Sequence, residues 1–190
     1  IVAALRPLPR DEHALEIQFT LKVSSGQQTV ELEQTNFGFL AVRVAKTLSA
    51  VFGGGELTNS DGQVGETDIF GKSAKWMDYS GPVIVGTGAD RSVETEGITY
   101  FDHPQNPGYP THWHVRQDGW MGAAFNLQHG LTMTAEQPLT LRYLLHAHHG
   151  AYDPQRAAVV EDGFRQRPAF VVTKGTQAHH QFEVRRGSEP

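Results

Sequence analysis

Leu139 to His149, LTLRYLLHAHH, alternates for eleven residues and sets the reading of the whole chain. Leu139, Leu141, Tyr143 and Leu145 share one side of an extended strand, while Arg142, Leu144, His146 and His148 share the other. Leu144 means that this second side is not uniformly wet. Leu15 to Ser24, LEIQFTLKVS, repeats the period: Leu15, Ile17, Phe19, Leu21 and Val23 oppose Glu16, Gln18, Thr20, Lys22 and Ser24. It reads as a strand of a sheet with one solvated face. Val30 to Leu32, Phe37 to Ala45, Val83 to Val85, Ile98 to Phe101, Thr111 to Val115, Met121 to Phe125, Phe170 to Thr173 and Gln181 to Val184 continue the pattern. So many strands against almost no helix imply an all-β fold, an antiparallel β-sandwich.

The one helix of any length is Pro154 to Gln166, with Asp153 as its cap and Pro154 in its first turn. Phe52 to Gly81, cut by seven glycines without a period, reads as a long irregular loop ordered by Phe70, Trp76 and Tyr79. At 190 residues the chain fits a single β-sandwich domain spanning 1–190. It opens on Ile1 rather than Met and shows no charged segment followed by an apolar one, which suggests a mature product or a fragment with further residues upstream.

Composition removes several classes of function. The net charge is −5, and the 16 Lys and Arg form no stripe, so nucleic acid is not an expected partner. No apolar run approaches the roughly 20 residues of a membrane-spanning helix. With no cysteine, disulfide scaffolds, zinc knuckles and thiol catalysis drop out. Gly-x-Ser-x-Gly elbows, phosphate-binding glycine loops and His-Glu-x-x-His are absent. What stands out is the count of 10 His.

The richest stretch is Phe101 to Arg116, FDHPQNPGYPTHWHVR. On a strand His112, His114 and Arg116 project together, and His-x-His is a common way for a β-sheet to present two metal ligands. His103, delivered by the turn through Pro104 and Pro107, would be the third, and such a set would take a divalent metal such as copper, zinc or iron. The plainer reading is that these are polar residues on a hydrogen-bonded face. A second pair, His146 and His148, would add to the site only if the two strands came together. Asn59 to Glu66 (NSDGQVGE) and Lys75 to Gly81 (KWMDYSG) gather carboxylates, an amide, a lysine and aromatics. That mixture suits a sugar, whose ring face stacks on Trp while Asp, Glu, Asn and Arg hold its hydroxyls. Glu66 and Asp78 are the candidate acid–base carboxylates, although Asn-Ser-Asp-Gly is also a turn by composition alone.

Phe39–Ser49 (FLAVRVAKTLS), Leu57–Val83, Gly97–Phe125 and Leu139–Gly150 resemble, in order, blocks of the bacterial family labelled methane oxygenase PmoA-like. The most specific parts are Asn59-Ser60, Gly65-Glu66, Ala74-Lys75-Trp76, Asp78-Tyr79-Ser80-Gly81, Asp102-His103-Pro104 and Trp113-His114-Val115-Arg116. The resemblance covers most of residues 15 to 165. It implies a carbohydrate-related role in the periplasm or outside the cell, because such proteins resemble secreted proteins encoded near sugar-handling enzymes. Longer members carry an upstream His-Pro-His-His block that this chain lacks, and with it the fold would extend to a galactose-mutarotase-like supersandwich. The resemblance favours Asp102, His103, His114, Arg116, Glu66 and Asp78 over the pair built on His112.

The expectation is therefore a carbohydrate-active lyase, hydrolase or epimerase acting on a small sugar, an oxidised sugar or an oligosaccharide. His103, His114, Glu66 and Asp78 would move protons, and Asp102, Arg116, Trp76, Trp113, Asn59 and Lys75 would bind the substrate. The alternatives are a metal-dependent oxidoreductase on His112, His114 and one of His103 or His146, and a noncatalytic glycan-binding module. An exposed edge strand would pair with a second copy, giving a homo-oligomer.

Overall fold

The computed structural model describes residues 1–188. In chain order its elements are β1 (Val2–Pro7), β2 (His13–Leu21), β3 (Thr29–Leu32), β4 (Leu40–Arg43), β5 (Glu56–Asn59), α1 (Gly65–Ile69), β6 (Trp76–Val85) and β7 (Ser92–Asp102). These are followed by β8 (His112–Arg116), β9 (Trp120–Ala124), β10 (Leu131–Thr134), β11 (Leu139–His149), α2 (Pro154–Arg165), β12 (Phe170–Lys174) and β13 (Phe182–Arg186). Six strands form a sheet in the order β1-β2-β11-β7-β6-β5, and β4-β9-β8 form a smaller one. β3 pairs with β10, and β12 with β13. Every pairing is antiparallel, so the fold is the all-β sandwich the alternation implies.

The alternating residues do what their period requires. Leu139, Leu141 and Tyr143 from β11, Tyr100 from β7 and Met77 and Tyr79 from β6 face the small sheet. There they meet Trp113, Val115, Met121 and Ala123 in one core. Tyr100 packs edge-on to Trp113 with ring centroids 4.9 Å apart. Its hydroxyl donates to the Leu40 carbonyl at 3.0 Å, so the largest rings also tie the two sheets together.

The expected solvated face of β2 is exposed at Thr20, Lys22 and Ser24 but covered at its other end. Glu16 and Gln18 are buried, because α2 and the β12–β13 hairpin lie across that side of the large sheet. Ala157 and Phe164 of α2 join Ala14, Trp76, Phe101 and Leu144 in a second core. Gln18 clamps β12 in both directions, donating to the Phe170 carbonyl at 2.9 Å and accepting from the Phe170 N–H at 2.7 Å. Alternation sorts residues onto two faces, but a distant segment decides whether the polar face stays wet. The helix itself starts where its sequence predicts: Asp153 accepts from the Gln155 and Arg156 N–H groups, and Pro154 opens the first turn.

The stretch expected as a loop, Phe52 to Gly81, holds β5, α1 and the first half of β6. Gly53, Gly55 and Gly81 serve close packing, whereas Gly62, Gly65 and Gly71 supply the positive φ of turns. A Cβ at Gly53 would lie 1.9 Å from the Thr47 carbonyl oxygen, and one at Gly55 1.8 Å from that of Leu48. β1 is an edge strand that the sequence pattern did not single out. Among the described residues, no helix is long and apolar enough to cross a membrane.

Candidate functional site

The small sheet turns Trp113 and Val115 into the core, which forces His112, His114 and Arg116 onto its outer side. Antiparallel register then sets their neighbours. His114 lies opposite Gly122, and Arg116 opposite Trp120, which is also paired with Arg43 of β4. A Cβ at Gly122 would come within 3.1 Å of Trp120 Nε1, so glycine gives the indole room to lie along the sheet. Arg43 and Trp120 are 5.4 Å apart in cation–π geometry, and Arg116 stacks 5.0 Å above Phe70. The Glu33–Phe39 segment completes the enclosure, because Phe37 packs edge-on to His114 at 5.0 Å. The resulting open pocket has a volume of about 420 Å³.

The polar groups of this pocket are held in defined states. His114 Nδ1 is 2.8 Å from the Asn36 carbonyl. A carbonyl oxygen can only accept, so Nδ1 carries the proton and Nε2 keeps its lone pair. Among the described residues nothing hydrogen-bonds Nε2. Burial, reinforced by the Arg116 charge, lowers the His114 pKa from its usual value, although the Asn36 bond opposes the shift. The ring is therefore a neutral base at pH 7. Burial raises the Glu66 pKa, but two hydrogen bonds outweigh it: Arg116 Nη1 and the Gln117 N–H each donate to the carboxylate at 2.8 Å. Glu66 therefore stays ionised and positions Arg116. Asp118 pairs with Arg43 at 3.1 Å, yet its Oδ1 and Trp120 Nε1 are buried without a partner among the described residues.

Of the residues expected from the sequence, His114, Glu66 and Arg116 meet in this pocket, and the others lie elsewhere. Trp113 is fully buried, its Nε1 donating to the Ala74 carbonyl at 2.8 Å, and Trp76 is buried beneath Tyr152, so neither can stack on a ligand. Asn59 is buried and closes its own turn, accepting from the Asp61 and Gln63 N–H groups. Lys75 is exposed and borders no described pocket. Asp78 is fully buried in the large sheet, accepting from Ser80, Thr99 and His148. Asp102 is buried too, accepting from Asn106 at 2.6 Å and the Thr111 N–H at 3.1 Å.

The three-histidine metal set does not assemble. His103 lies across the large sheet from His114, against Phe164 and 2.9 Å from Arg142. His112 and His114 are left as a pair, and no group of three or more ligating side chains is arranged for a metal among the described residues. His146 and His148 do share a face, with ring centroids 5.5 Å apart, but α2 covers them. His146 meets Glu12 and His148 meets Asp78. Trp120, Phe37, Arg43 and Asp118 were not singled out. An HWHVR strand followed within a short turn by a second strand starting at Trp120 carried the only available signal: in a hairpin, Trp120 falls beside Arg116.

The buried polar layer under α2 makes stability pH-dependent. Burial, with the Arg142 charge, holds His103 at about 4, and burial with the His148 charge does the same to His146. Unfolded histidine titrates near 6.5, so between about 4 and 6.5 the unfolded chain binds more protons and stability rises with pH. Asp102 opposes this. Burial raises it to about 7 despite its hydrogen bonds, so it contributes stability that is lost as pH rises through that value. Two groups against one leave a net gain of about 1 kcal/mol per pH unit over the acid window. For His148 burial is outweighed by Asp78, and its pKa is raised, so its contribution falls away as pH climbs above the unfolded value. Thermal melts from pH 4 to 8 should peak near neutrality, and a Tm unchanged between pH 4 and 6.5 would contradict this assignment.

No curated protein and no solved structure matches the chain. A family model described as a family of unknown function matches residues 4–161, a range that includes every pocket residue named above. The chain belongs to that family, DUF6807.

Proposed function

We propose that the pocket on the outer side of the small sheet binds a sugar acid, with His114 abstracting a proton from it. The observation that carries this is the neutral His114 ring, whose Nδ1 is held by Asn36 and whose Nε2 has no partner among the described residues, in the wall of a pocket also lined by two guanidinium groups and an indole. The volume, about 420 Å³, lies in the range of small-molecule sites. Phe37, 65% exposed, offers a face for the apolar side of a sugar ring. Arg116 spends only Nη1 on Glu66, which leaves its remaining donors for a carboxylate.

The charge states favour proton abstraction over hydrolysis. Hydrolysis needs a protonated acid beside the leaving oxygen, whereas His114 and Glu66 are both shifted toward their proton-free forms. With one base the simplest balanced reaction is β-elimination on a uronate. His114 Nε2 takes the proton from the carbon next to the carboxylate, and the electron pair forms a carbon–carbon double bond. The bond to the neighbouring glycosidic oxygen breaks, and that oxygen takes a proton from the imidazolium or water. Arg116 stabilises the charge that builds on the carboxylate. This reading also keeps the carbohydrate role and the periplasmic or secreted setting implied by the resemblance to PmoA-like proteins.

The test is a panel of uronate-containing oligosaccharides, followed by the ultraviolet absorbance of the unsaturated product and by tryptophan fluorescence for binding. An unsaturated product that depends on His114 is expected. Saturable binding without product would overturn the catalytic assignment and leave a glycan-binding pocket. Neither binding nor product would overturn the reading altogether.

A further inference from the structure

The His114 pocket does not end at Phe37. A second pocket of about 590 Å³ shares that residue, since Phe37 lines both. Phe37 is 65% exposed, an unusual position for a phenylalanine that is also held in place. Its backbone N–H bonds Thr35 Oγ1, and the Thr35 N–H bonds the Asn126 carbonyl. Asn126 Nδ2 donates to the Glu33 carbonyl at 2.8 Å, and Gln34 Nε2 to the Leu127 carbonyl at 2.9 Å. Gly38 lets the strap press onto β9, since a Cβ there would lie 2.1 Å from the Ala123 carbonyl oxygen. The strap that carries Phe37 is thus tied down at the border of both depressions, and little backbone ordering would be needed to use it.

The two depressions differ in charge. The first has Arg43 and Arg116 with Glu66 and Asp118, while the second has, among the described residues, Glu33 as its only charged lining residue, alongside Phe39, Phe125 and the amides of Gln34 and Asn126. A carboxylate in the second pocket would meet Glu33 with no cation to offset it. Hydroxyls there can donate to Glu33, and an apolar ring face can lie on Phe39, which is 39% exposed.

Resting on the sugar-acid reading above, we infer that the ligand is a glycan of at least two units that crosses Phe37, with the acidic unit beside His114 and a neutral hexose in the second pocket. Three probes test this by calorimetry on the whole chain: glucuronic acid, a hexose-(1→4)-glucuronic acid disaccharide, and a glucuronate–glucuronate disaccharide. The mixed disaccharide should bind about tenfold or more tighter than the monosaccharide, and the diuronate should gain less. In a Glu33→Ala, Phe39→Leu double variant, checked for folding by circular dichroism, the ratio of disaccharide to monosaccharide affinity should collapse toward one. Equal affinity for monosaccharide and mixed disaccharide in the unaltered protein would overturn the two-pocket inference while leaving the His114 pocket in place. A ratio unchanged in the double variant would also overturn it. No binding of any probe would remove the underlying reading, and this inference with it.

Discussion

Replacing His114 with glutamine should lower kcat on a uronate substrate by about 10²- to 10⁴-fold, the usual contribution of a positioned general base. Glutamine keeps a polar side chain of similar reach in the pocket, but an amide nitrogen has no basic lone pair to replace Nε2. Because the His114 pKa is lowered, kcat/KM of the unaltered protein should rise with pH through a value below 6.5 and then level off. The glutamine variant should lose that acid limb. His114→Ala opens a gap among Phe37, Phe70 and Trp120. Added imidazole should fill that gap and restore part of the turnover. A glutamine variant with undiminished turnover, or an unchanged pH profile, would remove His114 from the chemistry.

The largest effect on stability should come from Glu16→Ala, with a loss of about 3–5 kcal/mol in denaturant unfolding. Glu16 is 2% exposed and receives Arg142 at 3.1 Å, Arg167 at 3.4 Å and Arg186 at 2.6 Å. Arg142 is itself 1% exposed, so without the carboxylate its charge stays in the interior unbalanced and next to two others. Burial raises the Glu16 pKa, but hydrogen bonds and charge from Arg186 and Arg142 outweigh it and lower it overall. Its contribution is therefore present above the unfolded value near 4.5 and is lost as pH falls through the folded one. The same change should loosen the β12–β13 hairpin, since Arg186 and Arg167 are its links to β2 through Glu16. Limited proteolysis between α2 and β12 should accelerate. A destabilisation below about 1 kcal/mol would mean that the arginines find other partners.

These two residues also show how far the sequence could be read. His114 was legible because a period of two puts it beside Arg116 whatever the rest of the chain does, and Trp113 then had to face the other way. Its role as an inward core residue, rather than a sugar platform, depended on which face of β8 met the large sheet. Glu16 looked like a solvated residue for the same reason. The strand pattern around it carries no trace of α2 or the C-terminal hairpin, which come more than a hundred residues later and turn the Glu16–Gln18 end of that face into an interior. His103 looked like a partner of His114, eleven positions away. The chain between them crosses from one sheet to the other, and the core separates them.

The sequence by itself determined most, though not all, of the strands, the capped helix, and the shared face of His114 and Arg116. All of these follow from local periodicity or composition. Only the tertiary structure decided which faces were buried, that His146 and His148 serve a polar layer beneath a helix, and that Phe37, Glu66 and Trp120 surround His114. Those are contacts between segments far apart in the chain, and they depend on strand order and on which layer covers which, quantities that alternation along a single strand does not contain.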